Sequence, residues 1–243
     1  MDTSINLPAS SFKIAEDNPG MWQGFYLEGR PFGRIACYFN DFNEWTADAW
    51  SATEVDVGAG NTSQILLDAR NGVLQLLAAG NEDDGCQIQL GGSGDSETTG
   101  ESWAPSAGKN LWFEAFVTLS DATQSDMFVG LHVEDTTIVA GRGSGYIGFS
   151  KDDGDALIDF TTAASSVAAT DPGIHTAVAA TYAKLGFKVT GVDKIEYYVN
   201  DVLKGTQQNN IPTELMKLSL AFLTGAAAAN DLRIDYVVVA QER

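Results

Sequence analysis

Alternating carboxylates are the first residues in this chain whose types and spacing could do chemistry. In Glu54-Val55-Asp56 the two-residue period of a strand puts both acids on one face. Two carboxyls on one face are the pairing that general acid and base work uses. The run then ends in Val57-Gly58-Ala59-Gly60, without a further acid, and reads as a strand edge. Glu134-Asp135 follows His132, but neighbouring acids point to opposite faces and give no facing pair, so a polar strand end is expected. Asp152-Asp153-Gly154-Asp155 suggests calcium at first sight. Its spacing is not that of a calcium loop, and it joins two β-rich runs, so a solvated turn is expected, as it is for Asn81-Glu82-Asp83-Asp84-Gly85. His132, His175, Cys37 and Cys86 show no ligand spacing, and no metal site is predicted. Gly143-Ser144-Gly145-Tyr146-Ile147-Gly148 fits a glycine-rich phosphate pattern. It leads into a strand, so the helix N-terminus that would hold the phosphate is absent. Asn61-Thr62-Ser63 is a formal glycosylation sequon.

Aromatic side chains offer binding rather than bond chemistry. Trp103 lies in the polar run 91–108, an exposed excursion by composition. A lone tryptophan in a loop is more often a local packing anchor, and that is the favoured reading; a ring for stacking against a glycan is the alternative. Residues 1–36 carry Met21, Trp22, Phe25, Tyr26 and Phe32 among three prolines, with no clean alternation. They read as an extended arm or lead-in ahead of a domain at 37–243. Such an arm either packs on its own sandwich or docks on a neighbouring subunit or shell, where aromatic anchors carry most of the contact energy.

Composition narrows the classes. The 243 residues carry 33 acidic and 14 basic side chains, a net charge of −19. That sign repels phosphate backbones and anionic membrane surfaces, so neither nucleic acid nor membrane is an expected partner. No apolar run approaches the roughly 18–20 residues needed to span a bilayer. The start, MDTSINLPASSFK, lacks a basic and an apolar region and predicts no signal peptide. Two cysteines make no disulfide framework; of one bridge or two buried thiols, the thiols are preferred.

The elements that must position these groups are short and β-rich, punctuated by glycine and small polar residues. The clearest strand is 111–119, with Leu111, Phe113, Ala115, Val117 and Leu119 on one face and Trp112, Glu114, Phe116 and Thr118 on the other. Further strands are expected at 73–78, 86–90, 127–133, 146–150, 156–161, 185–190, 194–199, 202–207, 215–223 and 232–240. Asn200-Asp201 tolerates a left-handed backbone and should turn a hairpin. In the last strand, Leu232, Ile234, Tyr236 and Val238 share a face, and Val237 and Val239 take the other. Short helical turns are the expectation at 161–170 and 213–216.

The order Lys184-Leu185-Gly186-Phe187-Lys188-Val189, then Ile195-Glu196-Tyr197-Tyr198-Val199-Asn200-Asp201-Val202-Leu203, Ile211-Pro212, Leu218-Ser219-Leu220-Ala221-Phe222 and Leu232-Arg233-Ile234-Asp235-Tyr236-Val237-Val238-Val239 resembles the concanavalin A-like lectin/glucanase superfamily. Tyr38-Phe39-Asn40-Asp41-Phe42, followed by Trp45 and Trp50, is similar to its opening strand. The resemblance covers roughly residues 39–240. It implies an all-β, two-sheet antiparallel jelly-roll sandwich with the N-terminal arm attached. Glycoside hydrolases of that superfamily carry a Glu-x-Asp-x-x-Glu or Glu-x-Asp-x-x-x-Glu strand. Glu54 and Asp56 are the nearest match, but Ala59 and Gly60 stand where the third acid belongs. Small acidic jelly rolls of this kind, without a catalytic set, look like decoration or cement proteins of tailed-phage heads. The expectation is therefore a non-enzymatic capsid decoration protein without cofactor, made in the host cytoplasm and placed on the virion exterior. Its partners would be the major capsid protein and its own copies, a homotrimer favoured. A carbohydrate-binding, lectin-like module with a glycan partner is the first alternative, and a glycoside hydrolase of the same fold is the second.

Overall fold

The computed structural model describes residues 21–22, 35–55, 60–66, 71–91, 103–139 and 141–243. Fifteen strands follow one another: β1 (Ile35–Asn40), β2 (Trp50–Val55), β3 (Thr62–Ile65), β4 (Leu74–Leu77), β5 (Gly85–Leu90), β6 (Asn110–Leu119), β7 (Ser125–His132) and β8 (Tyr146–Lys151), then β9 (Leu157–Ala164), β10 (Val167–Thr176), β11 (Ala183–Thr190), β12 (Lys194–Val199), β13 (Val202–Gln207), β14 (Lys217–Thr224) and β15 (Asp231–Glu242). A 3-10 turn, Ala47–Ala49, precedes β2. The strands form two sheets, ordered β13-β12-β11-β6-β15-β4-β3 with β1 also on β15, and β10-β9-β8-β7-β14-β5-β2. Every pairing is antiparallel. This is the expected two-sheet jelly roll of concanavalin A-like type.

The core lies between the sheets and is built from one face of each strand. Leu111, Phe113, Ala115, Val117 and Leu119 of β6 meet Met127, Val129 and Leu131 of β7, with Ile147 and Phe149 of β8 and Leu218, Leu220 and Phe222 of β14. Phe160, Phe187 and Tyr197 stack near one another in that layer, at centroid distances of 5.9 and 4.4 Å from Phe160. Asn200 (φ 49°) and Asp201 (φ 65°) make the expected left-handed hairpin turn between β12 and β13.

Three expectations change. Residues 161–170 are not a helical turn but a hairpin: Ser165 (φ 51°) and Ser166 (φ 64°) turn β9 into β10. Threonine-rich flanks fit a pleat better than a helix. Residues 213–216 form no helix either, since Met216 bridges back to Trp103 in strand geometry. In β15 the register shifts between Ile234 and Tyr236. The bulge at Asp235 inserts one residue and flips the alternation. Leu232, Ile234, Val237 and Val239 therefore enter the core, while Tyr236 and Val238 turn outward.

Candidate functional site

The outer face of the seven-stranded sheet is covered by the chain itself. On β8, Ile147 and Phe149 point into the core, so Tyr146, Gly148 and Ser150 take the other face. Gly148 stands directly opposite Gly130 of β7. A Cβ on Gly148 would sit 2.7 Å from the Val129 carbonyl and 2.8 Å from the Phe128 ring. The absent side chain is thus what lets that ring lie flat on the sheet. Residues 133–139 cross over this face. The Gln87 amide donates to the Asp135 carbonyl at 2.6 Å and accepts from the Ile138 N–H at 2.8 Å. Gln89 does the same for Val133 and Asp135, at 3.0 and 2.9 Å. Ile138 is fully buried against Phe128, Tyr146, Ala163 and Ala221. His132 stacks on Tyr146 at 5.4 Å, and its Nδ1 meets the Val133 carbonyl at 2.7 Å. Burial holds its pKa below the usual imidazole range, so the ring is neutral at pH 7.

One corner of the same sheet concentrates charge. The Lys151 side chain is buried, and its ammonium donates to the carbonyls of Ser125 (2.7 Å), Asp152 (3.0 Å) and Thr123 (3.4 Å). Burial lowers its pKa, and the nearby Asp126, Asp155, Asp153 and Asp121 oppose that. Asp126, at the start of β7, accepts the Asp153 N–H at 2.8 Å. Its carboxyl is pushed up to about 6, chiefly by burial and then by the like charges of Asp153 and Asp152. Asp152, Asp153 and Asp155 themselves sit on the exposed turn between β8 and β9, as expected.

The eight-stranded sheet buries a carboxylate on its outer face. Glu114 accepts from the Tyr236 hydroxyl at 2.7 Å and from the Trp22 indole at 2.8 Å. Burial and the Glu114 charge drive the Tyr236 phenol well above its ordinary range. Met21 is buried beside Trp112, Tyr198 and Ala240, with Trp22 packed against them. These two arm residues therefore pack on their own sandwich in this chain. Phe25, Tyr26 and Phe32 lie outside the described residues, and β1 runs across the expected boundary at residue 36.

Trp103 is not the exposed stacking platform that its polar surroundings suggest. It is 2% exposed and belongs to the main core. Two backbone hydrogen bonds to Met216, at 2.7 and 2.8 Å, pin it there. It borders a cavity of about 460 Å³ shared with Ala36, Lys109 and Glu242. Glu54 is exposed on β2, at the end of its sheet, and Asp56 lies outside the described residues. Cys86 is buried and Cys37 exposed, with no disulfide between them. Among the described residues no three His, Cys, Asp or Glu side chains gather as a metal site. Glu114, Tyr236, Asp126 and Lys151 were not singled out beforehand. The one signal available for Glu114 was its place on the outward side of an otherwise apolar strand.

No protein-family model matches the chain, and no curated protein does. Solved structures do match. A β-glucanase of Bacillus licheniformis is 13% identical, with a TM-score of 0.57 over 84% of this chain and 97% of its own. A family 16 glycoside hydrolase of Bacteroides ovatus, solved with a mixed-linkage glucan product, is 12% identical, with 0.57 over 82% and 98%. A β-1,3-glucanase of Mycobacterium marinum is also 12% identical, with 0.57 over 83% and 97%. The expectation of a non-enzymatic capsid decoration protein is corrected here: many of the structures that share its fold are glucanases, which are enzymes, and they lend a capsid role no support. At such identities the likeness establishes the fold, which is the jelly-roll sandwich of the family 16 glucanases.

Proposed function

We propose that the protein is carbohydrate-active and takes a β-linked glucan. The observation that carries this is the match of the whole two-sheet sandwich to glucanases along nearly their entire length. Recognition of that chain and its cleavage are both open to this fold, and the matched glucanases favour cleavage.

Asp126 is the carboxyl that favours cleavage: burial pushes its pKa up to about 6, so it can hold a proton near neutral pH as a general acid must. One experiment tests both recognition and cleavage. The protein is run through native gels containing mixed-linkage, β-1,3- or β-1,4-glucan, and the same glucans are assayed for new reducing ends. Retardation without reducing ends supports binding. Reducing ends that vanish in Asp126→Asn support hydrolysis. Migration unchanged by every glucan, with no reducing ends released, overturns the proposal.

A further inference from the structure

The outer face of the eight-stranded sheet carries a row of rings that the Glu114 contacts do not explain. Phe39 on β1, Tyr236 on β15, Phe116 on β6 and Tyr182 at the entrance to β11 follow one another across the strands. Their centroids are separated by 6.3, 5.9 and 4.8 Å in that order, and successive planes tilt by only 36°, 31° and 33°. The register builds the row. Tyr236 stands directly opposite Phe116, and Phe39 stands opposite Val238, the next outward residue of β15. Across neighbouring strands this makes a strip on the order of 14 Å long. Phe39 is 59% exposed, and the other three rings are half-buried. Outward positions of an antiparallel sheet are ordinarily polar, and an exposed ring on a strand beside the sheet edge is an association hazard. Polar groups border the strip: Asp235 and Arg233 act on the Tyr182 phenol, and Glu114, Asp201 and Asp235 act on that of Tyr236.

We propose that this strip is a polysaccharide platform: a neutral β-linked glucan lies across β1, β15, β6 and β11, its sugar C–H faces on Phe39, Tyr236, Phe116 and Tyr182 and its hydroxyls on the bordering Asp235 and Arg233. The proposal rests on the carbohydrate reading above and gives it a binding surface. Charge selects the ligand class, since a net charge of −19 repels anionic chains. A second copy of this protein is a poor occupant, since such a strip falls far short of the ~800 Å² per side that a stable interface buries.

The test measures retardation of the full chain and of Phe39→Ala, Tyr182→Ala and the double variant in native gels containing soluble mixed-linkage β-glucan. Sedimentation and melting are followed in parallel. Each single variant is expected to bind about tenfold more weakly and the double variant about a hundredfold, with melting little changed. Phe39→Trp should retain binding. If the parent chain binds glucan and the double variant binds equally well, the platform is wrong while the carbohydrate reading stands. If the parent chain is not retarded by glucan, the platform falls, and if it releases no reducing ends either, the carbohydrate reading falls with it. A variant that loses self-association while keeping its glucan affinity marks a subunit contact and overturns the platform. Should the double variant misfold, Phe39→Ala alone decides, since that ring is largely in solvent.

Discussion

Replacing Asp126 by asparagine should stabilise the protein at neutral pH and leave it unchanged in acid. The folded chain holds this carboxyl at about 6, against 3.8 for an unperturbed aspartate. Between those values the folded state binds the proton more tightly than the unfolded one, so its contribution is fully present below about pH 4 and is lost as pH rises through 6. At full strength the ionised carboxylate costs the fold ~3 kcal/mol. Solvent screening reduces this to about 1–2 kcal/mol. Asparagine keeps an oxygen to accept the Asp153 N–H. Urea unfolding of both proteins from pH 4 to pH 8 should therefore give curves that coincide at the acid end and separate above pH 6, the variant being more stable. A difference that does not vary with pH, or a variant less stable at pH 8, would refute the argument that a buried charge resides at this corner.

Three further outcomes follow from the same geometry. Lys151→Met should destabilise by about 3–5 kcal/mol in urea unfolding, because the carbonyls of Ser125, Asp152 and Thr123 lose a shared donor in a buried setting; a loss below 1 kcal/mol would mean that water replaces the ammonium. Ile138→Ala should cost about 2–4 kcal/mol and speed amide exchange selectively in residues 133–139, since that side chain seals the covering segment against Phe128 and Tyr146; uniform exchange across the sheet would contradict it. In the native protein a thiol reagent should label Cys37 and spare Cys86, whose pKa burial pushes up to about 12; two fast thiols would contradict the placement of β5.

What could be read beforehand depended on how local the determining physics is. Strand β6 and the Asn200-Asp201 hairpin were legible because alternation and turn chemistry act within a few residues. The β9–β10 hairpin was not: its alanine and serine run carries no period that marks a strand, although the pairing it makes is with the strand next to it. The burial of Trp103 had no local signal for a different reason, since it bridges to Met216, more than a hundred residues away. The bulge at Asp235 had the largest effect on the candidate surface. Unbroken alternation puts Tyr236 with Leu232 and Ile234 in the core, and one inserted residue sends it to the outer face beside Phe116. The covering of the other sheet also left no sequence signal, because Gln87 and Gln89 look like solvent-facing strand residues until residues 133–139 are seen to satisfy them.

These two observations bear on each other. A sandwich of this size has two broad outer faces on which a polymer could lie. On the seven-stranded sheet, amide groups that might have met sugar hydroxyls are already paired with backbone, and the apolar rings are roofed by Ile138. An incoming chain would have to displace both, losing at least four hydrogen bonds and a buried isoleucine before making any contact of its own. On the eight-stranded sheet the rings from Phe39 to Tyr182 stay uncovered enough to touch, and Glu114 already fixes the Tyr236 hydroxyl from below. Preorganised rings lose little rotamer freedom on binding. For the platform proposed above, Ile138→Ala, which loosens the roof of the other sheet, should alter glucan affinity far less than Phe39→Ala does.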